Sequence, residues 1–183
     1  MDTPAERLRH YRVELRRWRT DDIDTLDRLI TESRDHLRPW MAFAAGHDRE
    51  RGREFLARCE EEWTSGEAYR YAITTDGVVV GSCGLMRRIG PGGLELGYWL
   101  HHARTGEGLA TVGAGALVRE GLRLPGIDHI EIRHDEANVA SGGVARRLGF
   151  REVGRGPVPV GAVGEVGVEV RWRLWRRVSG LPA

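Results

Sequence analysis

The twenty residues GLELGYWLHHARTGEGLATV, Gly93 to Val112, constrain this chain more than any other stretch. They open as an apolar strand, cross a turn at Gly106-Glu107-Gly108, and continue as a helical pattern rich in small residues. A strand that feeds a glycine-rich turn and a helix presents unpaired N–H groups at the helix N-terminus, where the helix dipole also favours negative charge. An anion site is predicted here, for a phosphate of a nucleotide, a dinucleotide or coenzyme A. A dinucleotide fold needs G-x-G-x-x-G after the first strand of a βαβ unit. Here the third glycine position is Thr111 and the stretch lies in mid-chain. A P-loop needs Gly-Lys-Ser/Thr, and the chain has no lysine at all, its 28 basic residues being arginine. Both nucleotide readings fail, and coenzyme A fits better.

The surrounding pattern sets the fold class. Tyr11 to Arg19 alternates as a first strand. Thr20-Asp21-Asp22 is a helix start, and Ile23, Leu26, Leu29 and Ile30 then recur at helical spacing. Pro39 breaks the next helical segment and leaves Trp40, Met41 and Phe43 together, as a satellite core cluster or an apolar pocket wall. Arg49 to Thr64 is a third helix with a stripe of Phe55, Leu56, Cys59 and Trp63. Residues 69–75 and 78–88 form a hairpin around Asp76-Gly77, and 94–101 adds a third strand to a meander. A helix from Gly108 follows, with Gly113 and Gly115 allowing close approach to a sheet. Then come a strand (127–134), a helix (138–148) closed by Gly149, and a strand from Phe150. The Gly/Pro-rich segment 154–165 reads as a mobile loop before a final strand at 166–174. The order predicts one α+β domain over residues 1–183: a mixed, mostly antiparallel sheet of about seven strands flanked by helices.

Composition excludes several classes of function. A net charge of +1 disfavours direct nucleic-acid binding by bulk electrostatics. No apolar run reaches the ~20 residues of a membrane span, and the first dozen residues carry no apolar secretory core. Cys59 and Cys83 have neither metal-ligand nor disulfide spacing, so no metal is expected. A cytoplasmic protein, monomeric or homodimeric, is expected.

Three stretches together resemble the GNAT N-acetyltransferases, in particular the RimJ/RimL type that acetylates ribosomal-protein N-termini. These are Glu95-Leu96-Gly97-Tyr98-Trp99-Leu100 with Gly106-Glu107-Gly108-Leu109-Ala110-Thr111, then Asn138-Val139-Ala140-Ser141 with Leu148-Gly149-Phe150, and Ser33 to Ala44 around Pro39-Trp40-Met41. The resemblance implies a bulge or splay in the strand near Tyr98-Trp99-Leu100, whose free backbone groups hold the pantetheine of acetyl-CoA and polarise its carbonyl. It implies that Arg104, Thr105 and the backbone of Gly106, Glu107, Gly108, Leu109, Ala110 and Thr111 hold the pyrophosphate. The family's Gln or Arg three residues before the first glycine is Ala103 here, and Arg104 stands beside it. Asn138 and Ser141 belong to the thiol end, and Trp40 and Met41 to the amine pocket.

Acetyl transfer needs a neutral amine and a protonated leaving thiolate. Glu95 is the candidate base, sharing a strand face with Gly97 and Trp99; His101, His102 and His134 are rivals. An α-amine with a pKa near 8 is about one-tenth neutral at pH 7, whereas lysine is neutral in about one molecule in 2,500, a difference of roughly 3 kcal/mol. One carboxylate acting through water suffices for the former. Asn138 is a natural N-cap, and Ser141, in the first turn, is the candidate proton donor where much of the wider superfamily uses a tyrosine. The expected function is acetylation of a primary amine by direct attack in a ternary complex, most naturally a protein N-terminus. The alternatives are a small amine acceptor (aminoglycoside or polyamine) and a non-enzymatic acyl-CoA-binding module.

Overall fold

In the computed structural model, which describes residues 3–176, the first half of the chain builds a short hairpin, β1 (Arg7–His10) and β2 (Val13–Arg17), and four helices. These are α1 (Ile23–Glu32), α2 (Arg34–Leu37), α3 (Ala42–Ala45) and α4 (Arg49–Ser65). The meander follows as β3 (Ala68–Thr75), β4 (Val78–Met86) and β5 (Gly93–Leu100). The chain then runs through α5 (Leu109–Gly121), β6 (His129–Asp135), α6 (Val139–Arg147), β7 (Arg151–Pro157) and β8 (Val168–Trp175). The described strands form one eight-stranded sheet in the order β1-β2-β3-β4-β5-β6-β8-β7, antiparallel except at β5–β6. The strand beyond the seven expected is β1, whose half-exposed residues supply no apolar alternation to read.

Local chemistry sets most of the boundaries. Asp76 and Gly77 both adopt positive φ (52° and 76°), the conformation a two-residue hairpin turn demands. The Asp48 side chain accepts from the Arg51 N–H at 2.9 Å to start α4, and left-handed Gly66 ends it. The glycine of α5 that approaches the sheet closely is Gly121 rather than Gly113 or Gly115, and a Cβ on Gly115 would meet Leu148 at 3.1 Å instead. A Cβ on Gly121 would lie 2.9 Å from Leu85, whereas one on Gly113 would meet its nearest neighbour, Leu15, at an ordinary 3.4 Å. The 154–165 segment is less free than its composition suggests. It begins inside β7, and beyond that Gly164 N–H donates to the Pro39 carbonyl at 2.9 Å.

Two apolar layers enclose the sheet. On one face Leu109, Ala114 and Leu117 of α5 and Val144 of α6 pack on Leu85, Leu94, Leu96 and Ile130. On the other, Leu26, Leu29 and Ile30 of α1 and Leu56 and Cys59 of α4 pack with Trp18, Ala72 and Trp99. Because strand side chains alternate, β5 gives Glu95, Gly97 and Trp99 to the α1–α4 face and Leu96, Tyr98 and Leu100 to the α5–α6 face.

Candidate active site

The site is a defect in the sheet. Strand β5 pairs with parallel β6 at only three positions, Gly93↔His129, Leu94↔Ile130 and Glu95↔Glu131. Beyond Glu95 the two strands part, and no further pair joins them among the described residues. The splay expected from the sequence is therefore present. The β4–β5 ladder keeps one register from Gly81↔Leu100 to Met86↔Glu95, so the departure lies wholly on the β6 side and no bulge interrupts the β4 side.

A cavity of about 610 Å³ occupies the opening and extends over the α1–α4 face. Its floor contains the directly opposed pair Gly84 and Gly97, which leaves the sheet bare between Glu95–Met86 and Trp99–Ser82. Trp18 supports one side of that floor by donating its indole N–H to Ser82 Oγ at 3.0 Å. Trp40, Met41, Phe43 and Phe55 line the wall, with the Phe43 ring 6.2 Å from that of Trp99. The Trp40 cluster is thus a pocket wall rather than a satellite core.

Glu95 lines this cavity but is not free. Arg88 grips both of its carboxylate oxygens, with Nε donating to Oε2 at 2.9 Å and a second bond from Nη2 to Oε1. This hydrogen bond holds the Arg88 guanidinium above its ordinary pKa. Beside Glu95 in the β5–β6 register stands Glu131, only 2% exposed and held by Arg133 (2.8 Å) and Arg173. Burial pushes the Glu131 carboxyl up, yet Arg173 and Arg133 outweigh burial and leave it below the usual range. Two neighbouring carboxylates are thus paired with three arginines.

The opposite face of β5 carries the second group. Tyr98 Oη lies 3.1 Å from the Ser141 carbonyl, to which it donates, and 3.0 Å from Ser141 Oγ. Asn138 caps α6 as expected, its Oδ1 accepting from the Ser141 N–H at 3.2 Å. Asn138, Ser141, Tyr98 and Trp99 all line the cavity. Leu100 and Leu109 do not; their side chains belong to the core, so only their backbones are available to a ligand.

The glycine turn lies outside the cavity. Gly106 (φ 78°) and Gly108 (φ 77°) are both left-handed, which opens the N-terminus of α5 to solvent and suits an anion. Arg104 is engaged there by Glu107 at 2.7 Å, and Arg12 also reaches Glu107, donating to its carbonyl at 2.9 Å. A different cation sits closer to the helix end. Arg147 of α6 donates to Thr111 Oγ1 at 3.2 Å, in the first turn of α5, and has no carboxylate partner among the described residues. Thr105 caps the preceding turn through the His102 carbonyl at 3.0 Å.

The histidines separate from Glu95. His101 is paired with Glu32 at 3.0 Å and His102 lies near Ser33, and neither borders the cavity. His134 does border it, but Trp172 Nε1–H donates to its Nε2 at 2.9 Å. That bond occupies the lone pair a base would use, and Nδ1 faces the Asp135 carbonyl at 2.7 Å.

Residues 12–151 match the family model described as the acetyltransferase (GNAT) domain, a span that covers β2 through the start of β7 and includes Glu95, Tyr98, the Gly106–Thr111 turn and Ser141. The chain belongs to the GNAT acetyltransferases. It is an acetyl-CoA-dependent N-acetyltransferase with the mixed α/β fold of that family. Its fold matches RimL, the ribosomal L7/L12 α-N-protein acetyltransferase, in complex with coenzyme A (TM-score 0.84, 21% identity, 91% of this chain and 95% of that one). It matches equally well the microcin C7 self-immunity acetyltransferase MccE in complex with acetyl-CoA and AMP (TM-score 0.84, 18% identity, 91% and 94%). RimJ of Mycobacterium smegmatis in complex with CoA-disulfide follows (TM-score 0.78, 23% identity, 89% and 81%). No curated protein sequence matches this acetyltransferase. Among the described residues no helix is long and apolar enough to cross a membrane, and no group of metal-ligating side chains is assembled.

What the sequence missed in this acetyltransferase is the arginine complement. Arg88 was detectable in principle. The hairpin pairing of Met86 with Glu95 brings a side chain two residues past Met86 back toward Glu95. Arg133 was also detectable, since it shares a face of β6 with Glu131 two residues away, whereas Arg173 and Arg147 reach their partners across strands and helices and leave no local signal.

Proposed function

We propose that this acetyltransferase transfers acetyl to the N-terminal α-amine of a protein, such as a ribosomal protein, by direct attack within a ternary complex. The observation that carries the reading is the division of labour across β5. Glu95 faces a cavity walled by Trp40, Met41, Phe43 and Phe55, while Tyr98 and Ser141 face the other side of the same opening. An amine entering over the Gly84–Gly97 floor meets the carboxylate side, and a thioester laid along the open edge of β5 meets the serine side. In this reading Glu95 takes the amine proton through water, the backbone from Tyr98 to Leu100 receives pantetheine and polarises the carbonyl, and Ser141 serves the thiol.

The turn from Gly106 to Thr111 receives the pyrophosphate through its amides, with Thr105 ordering the approach. Arg104 already carries Glu107, so Arg147 is the better substitute for the side-chain contact that Ala103 lacks. Five arginines, Arg51, Arg58, Arg70, Arg88 and Arg133, line the cavity beside four carboxylates, Glu54, Glu95, Asp135 and Glu165, so the lining has no acidic excess to favour a polycationic aminoglycoside or polyamine. Cytoplasmic residence follows from such an acceptor.

Free-thiol release from acetyl-CoA, measured across peptides with free and blocked N-termini, aminoglycosides and polyamines, tests the reading. Release with free N-terminal peptides alone supports it. Release confined to small amines reassigns the acceptor, and acetyl-CoA binding with no release anywhere makes the chain a binding module.

A further inference from the structure

The hydroxyl of Tyr98 has two acceptors at nearly equal distance. Ser141 O lies at 3.1 Å and Ser141 Oγ at 3.0 Å, so a small rotation moves the phenolic proton from one to the other. The serine has its own polar anchor, because its N–H is bound by Asn138 Oδ1. Tyr98 projects from the strand that opens and Ser141 from the first turn of α6, and both border the cavity.

An aliphatic hydroxyl is a much weaker acid than a phenol, so a serine conducts a proton to a thiolate better than it supplies one. We infer that Tyr98 acts through Ser141 as the proton source for the departing thiolate of coenzyme A. This rests on the proposed placement of the thiol beside Ser141. The amine nitrogen bonds to the thioester carbon, and the tetrahedral adduct collapses with cleavage of the C–S bond. The sulfur takes the Ser141 Oγ proton while Oγ takes the Tyr98 Oη proton, and solvent reprotonates the phenolate after the products leave. The proton lost by the amine goes to the Glu95 side, so the charge balances.

The surroundings of Tyr98 keep it protonated. Burial pushes its phenol up to about 12, against lowering contributions from the Ser141 hydrogen bond and the nearby Arg147. The donor form is therefore fully populated at neutral pH. A purely structural role would need only the bond to the carbonyl oxygen; the second acceptor, Oγ, is what makes a relay available.

The experiment compares wild type, Tyr98→Phe, Ser141→Ala and the double variant in acetyl-CoA turnover with an amine peptide. Loss of either single group is expected to lower kcat by about 10²-fold, with the acetyl-CoA KM changed less than about threefold. The double variant is expected to lose no more than the worse single one, since both act in one chain. A Tyr98→Phe enzyme with at least half the wild-type kcat, or a double loss equal to the product of the singles, overturns the relay. If Ser141→Ala alone is impaired, the relay fails but the thiol placement stands. If neither variant is impaired while acetyl-CoA still binds, the placement itself is wrong. Replacing Tyr98 by difluorotyrosine keeps the side chain and lowers its pKa. The alkaline limb of kcat should then move to lower pH, and an unmoved limb again overturns the relay.

Discussion

The two halves of the Gly93–Val112 stretch do their work by opposite means. From Gly106 to Thr111 the geometry is local. Two glycines in the left-handed region and a helix start expose backbone N–H groups in a geometry that almost any neighbouring structure would tolerate. From Glu95 to Leu100 nothing is local. The strand is regular against β4, and its usefulness comes from β6 turning away after Glu131. The difference teaches that the phosphate end can be damaged through backbone conformation alone, whereas the reacting end is damaged only by altering partners across the opening.

Five substitutions sharpen or break this contrast, beginning with the largest effect. Glu95→Gln keeps the shape but removes the proton acceptor, so kcat should fall by about 10²–10³-fold with acetyl-CoA affinity nearly intact; undiminished turnover removes Glu95 from the mechanism. Gly108→Val forces a β-branched residue into φ near 77° at the α5 N-cap. A left-handed penalty of about 1–2 kcal/mol corresponds to roughly 5–30-fold weaker acetyl-CoA binding, read by calorimetry. Normal affinity there would refute the phosphate assignment.

Arg147→Gln should raise the acetyl-CoA KM about 3–10-fold and leave transfer from acetylpantetheine, which lacks the phosphates, unchanged. Arg104→Gln should have the smaller effect, because that guanidinium already serves Glu107. Equal losses on both donors would place Arg147 elsewhere in the mechanism.

The smallest effect concerns the Asp135 pin that holds Val166 to Val168. Burial pushes the Asp135 carboxyl up, but N–H groups of Ala137, Val166, Gly167 and Val168 outweigh it and hold the group below the usual range. A carboxyl depressed in the folded state adds stability above its unfolded pKa, and that stability is lost as pH falls through the folded value. Thermal midpoints of wild type and Asp135→Asn should therefore differ at neutral pH and converge below about pH 4, the ordinary aspartate range. A gap independent of pH would show that the pin acts by shape alone.

Much of this was legible in the chain, for identifiable reasons. The Asp76-Gly77 turn, the Asn138 cap and the left-handed glycines are consequences of a residue's own backbone preferences. Glu95 was visible as an acid on an otherwise uncharged strand face. Strand β1 was invisible because Leu8 is its only apolar residue, and its identity as a strand comes from pairing with β2. The mobility expected of 154–165 followed from glycine and proline content. The segment is tied at Gly164 by the Pro39 carbonyl, and Asp135 holds Val166 to Val168 just beyond it, both partners coming from distant parts of the chain.

By itself the sequence determined the identity of the donor. No lysine, no third glycine and a meander ahead of the turn left coenzyme A as the fitting anion, because backbone conformation and side-chain chemistry within a few residues decide such a site. Only the tertiary structure decided how the reacting groups are held. Arg88 closes on Glu95, Trp172 takes the free nitrogen of His134, and Tyr98 meets Ser141 from 43 residues away. These pairings fix which groups can move a proton, and they exist only once the strands are in register and β5 has parted from β6.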